Sequence, residues 1–412
     1  MMRVLMLGWE FPPYFAGGVG TVCYELTRGL ARQGVHVTYV MPHGPEDAAG
    51  QHVKLLVADK AMQRLGVTTL RVKSLLTPYS SSTEYEARYA QALRLKPMDA
   101  RTGAIYGKDL LDEMHRFAAA VLELAREEEF DVIHAHDWTT IPAAIALKNA
   151  SGKPLVVHVH ITEFDKTGGE HADPEVYRIE REGFQAADRV IAISQLIKRR
   201  LVQQYHVDPA KVRVVYNTVE YGDGPTGNRE RLSGQEKIVL FLGRVTLQKG
   251  PDYFLEAAAK VASIIPNARF VIAGTGDMLP RMIERAAALG IGNRVTFTGF
   301  VNREDGDRLY RMADVFVMPS VSEPFGLVPL EAMKQGTPVI VSRQSGVSEV
   351  LKHALKVDFW DVDALANRIV AALTYNDLNA ALSEHGTMEV RDATWDKPAA
   401  ECVLVYHESM GA

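Results

Sequence analysis

Cysteine is scarce. Cys23 and Cys402 are the only two among 412 residues, too few for a disulfide framework or a zinc ribbon, so the cytoplasm is the expected compartment. Long apolar runs are missing too. The opening stretch 1–9 is broken by Glu10 and Pro12, short of a spanning helix or a signal-peptide core, and later runs such as 237–243 are strand-sized. Membrane contact, if made, is therefore expected to be peripheral, at the inner membrane surface. An excess of positive charge is also absent: 46 Lys and Arg against 51 Asp and Glu leave −5, which excludes a mainly electrostatic grip on nucleic acid. No G-x-x-x-x-G-K-[ST] phosphate loop occurs anywhere. What is present is an ordinary globular balance, 47% apolar and 24% charged, long enough for two or three domains at about 100–200 residues each.

Short β-branched runs alternate with longer amphipathic stretches, which predicts an α/β fold of parallel sheets covered by helices. Strands are expected at 4–7, 35–40, 132–135, 155–159, 190–193 and 212–216, and helices at 19–33, 110–128, 141–149 and 175–187. Between Val219 and Lys237 the chain is rich in turn formers and charges and has neither hydrophobic period, the mark of a linker. The alternation then restarts, with strands at 238–242, 269–273, 295–298, 315–318 and 338–341. The expected organisation is therefore an N-terminal domain over 1–218, a linker over 219–236 and a C-terminal domain over 237–394. A closing helix around 397–407, within 395–412, is expected to pack back on the first domain. Residues 78–108, with Tyr79, Tyr85, Tyr89 and Tyr106 among several cations, read equally as an insertion beside the site, helical over 84–95, or as a solvated surface helix.

Three segments carry chemistry. Gly17, Gly18 and Gly20 follow the first strand and open a helix, where backbone amides and the helix dipole favour a phosphate; Cys23 occupies what would be a third glycine position, and a tight turn alone explains the glycines equally well. Arg244 and Lys249 follow the strand ending at Leu242, at the carboxyl edge where a diphosphate needs neutralising. Glu323 and Glu331 flank the loop Pro324-Phe325-Gly326-Leu327-Val328, an amide-rich turn between carboxylates suited to a polyol phosphate. The alternatives are Glu323 as a helix cap and Glu331 as a solvated helix residue, expected about two turns into its helix. Four histidines, His134, His136, His158 and His160, fall at alternate positions of two strands and so share sheet faces. A zinc reading carries little weight because no cysteine is expected near them and strand-end histidines are often hydrogen-bonded core groups, and no metal is expected. Asp361-Val362-Asp363 reads as a helix cap rather than a metal motif.

The E-x7-E spacing of Glu323 and Glu331 resembles that of retaining glycosyltransferases of family 4, nearest in flavour to bacterial glycogen synthase-like members. Gly243-Arg244, Lys249-Gly250, Ala273-Gly274-Thr275-Gly276, Thr298-Gly299-Phe300, Ala313-Asp314-Val315, Ala187-Asp188-Arg189 and the Gly17-Gly18 loop fall in the same order as that family's landmarks. His134-Ala135-His136-Asp137-Trp138 resembles the H-x-H-D-W of glycogen and starch synthases. Asn217-Thr218-Val219-Glu220 departs from the family's N-G-V-D, and Tyr14-Phe15-Ala16 from the lysine that precedes the double glycine in glycogen synthases.

The resemblance implies a GT-B fold: two Rossmann-like β/α/β domains facing each other across a cleft. It implies transfer of a hexose, with glucose from UDP-glucose the best guess, to a glycan or glycolipid hydroxyl with retained configuration and no metal or other cofactor. By the same resemblance Arg244 and Lys249 would hold the diphosphate and Gly17 and Gly18 would cap it. Glu323 and His160 would face the sugar. Glu331 would take the ribose, the segment Phe325 to Val328 and Gly274 would line the donor, and Phe300 with Val301 would form the base wall. Asp137 and Trp138 would lie on the acceptor or sugar side. The alternatives are a UDP-sugar 2-epimerase of the same fold and a non-catalytic sugar-nucleotide-binding protein.

Overall fold

The computed structural model describes residues 1–12, 18–43, 52–58, 108–167, 172–221 and 236–411. The 84–95 helix, Gly17 and most of the linker lie outside the described residues. The chain divides into two compact units. One is built from the amino-terminal half through Asn217 together with the segment from Trp395 onward; the other spans Thr218–Thr394 with a short stretch beginning at Asp165.

The first unit holds strands β1 (Arg3–Leu7), β2 (His36–Met41), β3 (Lys54–Val57), β4 (Val132–His136), β5 (Leu155–Val159), β6 (Arg189–Ala192) and β7 (Val212–Val214). They pair in the order β3-β2-β1-β4-β5-β6-β7, every pairing parallel. Helices cover both faces of such a sheet, so its central strands lose the polar alternation of a half-exposed strand; β4 and β5 are buried at every position. The second unit repeats the plan with β8 (Lys237–Leu242), β9 (Ala268–Ala273), β10 (Val295–Gly299), β11 (Val315–Met318), β12 (Val339–Ser342) and β13 (Leu355–Val357) in the order β10-β9-β8-β11-β12-β13. In each unit the strand order reverses beside the first strand, between β1 and β4 and between β8 and β11. Loops leaving the carboxyl ends there diverge and open a ligand crevice.

Several expected boundaries shift. The edge strands β3 and β13, of 4 and 3 residues, escape a periodicity reading because they are too short to show one. The helix expected from Ile141 begins at Asp137 and carries Pro142 inside it. Thr140 Oγ1 donates to the carbonyls of His136 and Asp137 at 2.9 and 3.0 Å, closing a first turn ahead of the expected start. A helix at Gln195–Gln204 was not anticipated. Ser194 caps it, its hydroxyl accepting from Ile197 N at 3.2 Å. Asp361 does cap the helix Val362–Thr374, accepting from Ala364 N at 2.8 Å.

The closing helix Asp396–Ser409 is tied to the first unit at both ends. Arg32 reaches Asp396 at 2.5 Å, and Glu408 bridges Arg189 and Arg213 at 3.0 and 2.9 Å. Its approach to the helix Gly18–Arg32 depends on Gly29: a Cβ there would stand 2.6 Å from the Trp395 carbonyl oxygen. Backbone cannot yield as a flexible side-chain tip does, so Gly29→Ala is expected to destabilise the first unit by about 1–3 kcal/mol, an overpacking cost. Denaturant unfolding checks this; an unchanged midpoint would show that the terminal helix does not pack as described.

Candidate functional site

In the second unit two loops leave the reversal point, one after β8 and one after β11, and they are stapled together. Val321 N donates to the Gln248 carbonyl at 2.9 Å. Gly250, at φ +64°, turns the chain where a Cβ would come within 2.3 Å of the Pro319 carbonyl oxygen, so only glycine lets the β8 loop close on the end of β11. This contact carries Lys249 to Glu323, and the two form an ion pair with side chains 19% and 8% exposed. Ser320 Oγ adds a donor to the same Glu323 carboxylate at 3.3 Å. Arg244 lies in the same loop, its guanidinium 3.5 Å from Gln248 Oε1.

The segment after Glu323 is fixed by backbone pairing. Glu323 N donates to Gln344 O at 3.0 Å, Gly346 N to Glu323 O at 2.9 Å and Val347 N to Phe325 O at 2.8 Å. Gly326, at φ +97°, then turns the chain into the helix Val328–Lys334. Two expectations are corrected here. Glu323 is not a helix cap, since Leu327 holds that position without a side-chain cap. Glu331 sits in the first turn of its helix rather than about two turns in, and it is not simply solvated: Tyr310 Oη donates to its carboxylate at 3.2 Å. Burial raises the Glu331 carboxyl above its ordinary value, a push the Tyr310 hydrogen bond opposes, and burial beside Glu331 raises the Tyr310 phenol.

The structure thus brings Arg244, Lys249, Glu323 and the Phe325–Val328 turn to one reversal point. Gly274 belongs with them, at the end of the neighbouring β9; a Cβ there would lie 1.9 Å from the Gly243 carbonyl oxygen. Phe300 and Val301 directly follow β10, whose last residue Gly299 accepts from Gly274 N at 2.8 Å, and Phe300 is 80% exposed. Sequence reasoning missed Ser320, Gln248 and Tyr310. Tyr310 stands 21 residues before Glu331, a separation no local pattern signals.

In the first unit Asp137, Trp138 and His160 come together and all are buried. The Asp137 carboxylate accepts from His160 N at 2.7 Å and from Ile161 N at 3.4 Å, binding the end of β4 to the end of β5. Asp137 has φ +56°, a left-handed conformation unusual for a residue with a side chain. The four histidines form one stack of buried rings with centroids 4.3–5.3 Å apart between neighbours. Burial pushes His134 down to about 3 and holds His136 and His158 well below the usual imidazole range. His160 is lowered for the same reason. The sequence expectation that no cysteine lies near them is overturned: Cys23, from the helix Gly18–Arg32, reaches His136 and His160. Gly18 opens that helix, is exposed, and has nothing within 4 Å of its missing Cβ.

Residues 16–221 match the profile described as Glycosyltransferase Family 4 and residues 227–388 that of Glycosyl transferases group 1. The chain is 30% identical to the uncharacterized glycosyltransferase MJ1607 of Methanocaldococcus jannaschii, over 99% of each chain. It is also 30% identical to the D-inositol 3-phosphate glycosyltransferase of Mycobacterium sp. (strain KMS), over 82% of this chain and 81% of that one. Sucrose-phosphate synthase from Thermosynechococcus elongatus shares its fold with a TM-score of 0.77 at 22% identity over the whole of both chains. HepE of Anabaena, solved with UDP and glucose, does so at 0.69 and 17% over 99% of this chain and 100% of that one. The chain belongs to the family 4 glycosyltransferases and has the GT-B fold. Among the described residues no helix is long and apolar enough to cross a membrane.

A carboxyl that is less acidic in the folded state binds more protons there than in the unfolded chain. Stability is then full below the ordinary value of 4.5 and falls as pH climbs towards the raised folded value. Glu331→Gln is expected to remove this slope, so that wild type loses stability relative to the variant as pH rises from 4.5. Unfolding of the second unit followed across that range tests the burial; parallel curves would contradict it.

Proposed function

We propose that the chain is a retaining hexosyltransferase that moves glucose from UDP-glucose to a hydroxyl of a glycan or glycolipid, without a catalytic metal. The observation that carries this reading is the Lys249–Glu323 pair with Arg244 beside it, at the reversal point of the second sheet. Departure of a nucleoside diphosphate leaves negative charge on the phosphates, and Arg244 and Lys249 are two fixed cations placed to stabilise it. Glu323, oriented by Lys249 and Ser320, accepts from the sugar hydroxyls, and Glu331 accepts from the ribose. The amides of Phe325, Gly326 and Leu327 face the donor, and Gly274 lets the end of β9 close on the Gly243 carbonyl beside it.

In the first unit His160 positions the sugar. Its low basicity suits a neutral hydrogen-bonding group better than a general base. Asp137 holds the backbone that carries His160, and Asp137 and Trp138 are assigned to the sugar and acceptor side. With no second carboxylate assigned as nucleophile, the acceptor hydroxyl attacks from the face that the diphosphate leaves. The leaving phosphate takes the hydroxyl proton, which returns the original anomeric configuration. The named activity of the inositol phosphate relatives supports a polyol-type hydroxyl acceptor, and the UDP and glucose of the HepE complex support the donor.

Incubation with UDP-, ADP- and GDP-sugars, with and without glycan and polyol acceptors, tests this reading through acceptor-dependent nucleotide release and NMR of the product anomer. Retained configuration with UDP-glucose is expected; nucleotide release that needs no acceptor would favour a 2-epimerase. Arg244→Ala, Lys249→Ala and Glu323→Ala should each lower kcat about 10²–10³-fold, the usual loss of one preorganised charge stabiliser, with circular dichroism unchanged. Full turnover in all three would move the chemistry elsewhere.

A further inference from the structure

The chain has fewer cations than anions, 46 Lys and Arg against 51 Asp and Glu, and on the second unit Lys260, Arg269 and Arg285 are paired with Asp363, Glu236 and Glu256. One place departs from this. Beside the edge strand β13 lies an open groove of about 520 Å³, rimmed by Arg343, Lys352, Lys356 and Arg368, with Leu355 and Ala371 on its apolar floor. Four separate stretches supply the cations. Arg343 follows β12, where its N donates to the Val357 carbonyl at 2.9 Å; Lys352 precedes β13, Lys356 is its middle residue, and Arg368 belongs to the helix Val362–Thr374.

The nearby carboxylates are committed elsewhere. Asp358 accepts from Gln344 Nε2 at 2.9 Å and stands 3.9 Å from Arg343. Glu389 accepts from the backbone N of Lys352 and His353 at 2.8 and 2.9 Å and lies 3.0 Å from His353 Nδ1. Among the described residues, the side chains of Lys352, Lys356 and Arg368 make no hydrogen bond or ion pair. Like charges gathered in this way repel one another. A lysine on an edge strand deters pairing with another chain, which accounts for Lys356. It does not account for three further cations brought from a loop, a neighbouring strand end and a helix to the rim of one concavity.

We propose that this groove binds a small phosphorylated solute, a phosphomonoester of a sugar or polyol. Its volume falls within the range of small-ligand sites, about 300–1,000 Å³. A phosphomonoester brings a charge of about −1.5 to −2 and three acceptor oxygens. The guanidinium forks of Arg343 and Arg368 grip such oxygens in pairs, and the two lysines act as point charges. The carbon skeleton then rests on Leu355 and Ala371. A bilayer would present a flat plane to a concave site, and the net charge of −5 disfavours a nucleic acid. The groove is distinct from the Lys249–Glu323 pair, since β13 stands two strands beyond β11 in the sheet order. Because the ligand ties the end of β12, the approach to β13 and a covering helix together, its binding stabilises the second unit.

Calorimetric titration of the full chain with mannose 6-phosphate, and with mannose as the uncharged control, is the test. Saturable binding of the phosphate ester and none of mannose is expected. Lys352→Gln combined with Arg368→Gln, both at exposed positions, should weaken binding about 10-fold or more, and Lys356→Gln should weaken it on its own. Arg285→Gln, which removes an exposed cation elsewhere on the same unit, should leave it unchanged. Mannose 6-phosphate should also raise the thermal midpoint of wild type and Arg285→Gln but not of the double variant. No binding by wild type, or undiminished affinity in the double variant, overturns the proposal. So does co-sedimentation with phosphatidylserine–phosphatidylcholine vesicles that the double variant loses while the soluble ester fails to bind.

Discussion

A parallel sheet sends every strand out at the same edge, and where its order reverses two neighbouring loops must part. That topological constraint governs both halves of this molecule. In the second unit it brings the loop after β8 beside the loop after β11. Glycine 250 lets those loops touch, and Lys249 and Glu323 meet as a consequence. Removing either charge leaves the other poorly solvated, so the pair is costly to keep without a purpose. A ligand that carries both a diphosphate and sugar hydroxyls supplies one, because it offers an acceptor to the lysine and donors to the glutamate.

The same constraint in the first unit produces a different chemistry. Beside that reversal, β4 and β5 carry a column of imidazoles, and an aspartate in a left-handed conformation follows β4. Asp137 spends one carboxylate oxygen on the backbone amides at the end of β5, which fixes His160 more firmly than packing alone. Burial keeps the column neutral. The terminal helix participates through Tyr406, which is hydrogen-bonded to His134. The end of the chain therefore belongs structurally to its beginning.

Much of this was legible in the sequence. The alternation of strand-sized apolar runs with amphipathic stretches revealed the fold class, and Arg244 with Lys249 marked the charged loop that follows β8. What escaped had physical reasons. The edge strands β3 and β13 are too short for a period to emerge. Thr140 begins a helix by bonding backward to carbonyls, which composition does not reveal. Tyr310 and Cys23 reach their partners only through tertiary folding, and Cys23 looked like a mere departure from a glycine pattern.

The most direct test of the central claim is calorimetric titration of the intact protein with UDP-glucose, alongside ADP-glucose and GDP-mannose. The account predicts saturable one-to-one binding of a nucleotide sugar, weakened at least tenfold by Lys249→Met and unaffected by Cys402→Ser. No heat of binding with any of the three, or equal affinity in the lysine variant, would contradict it.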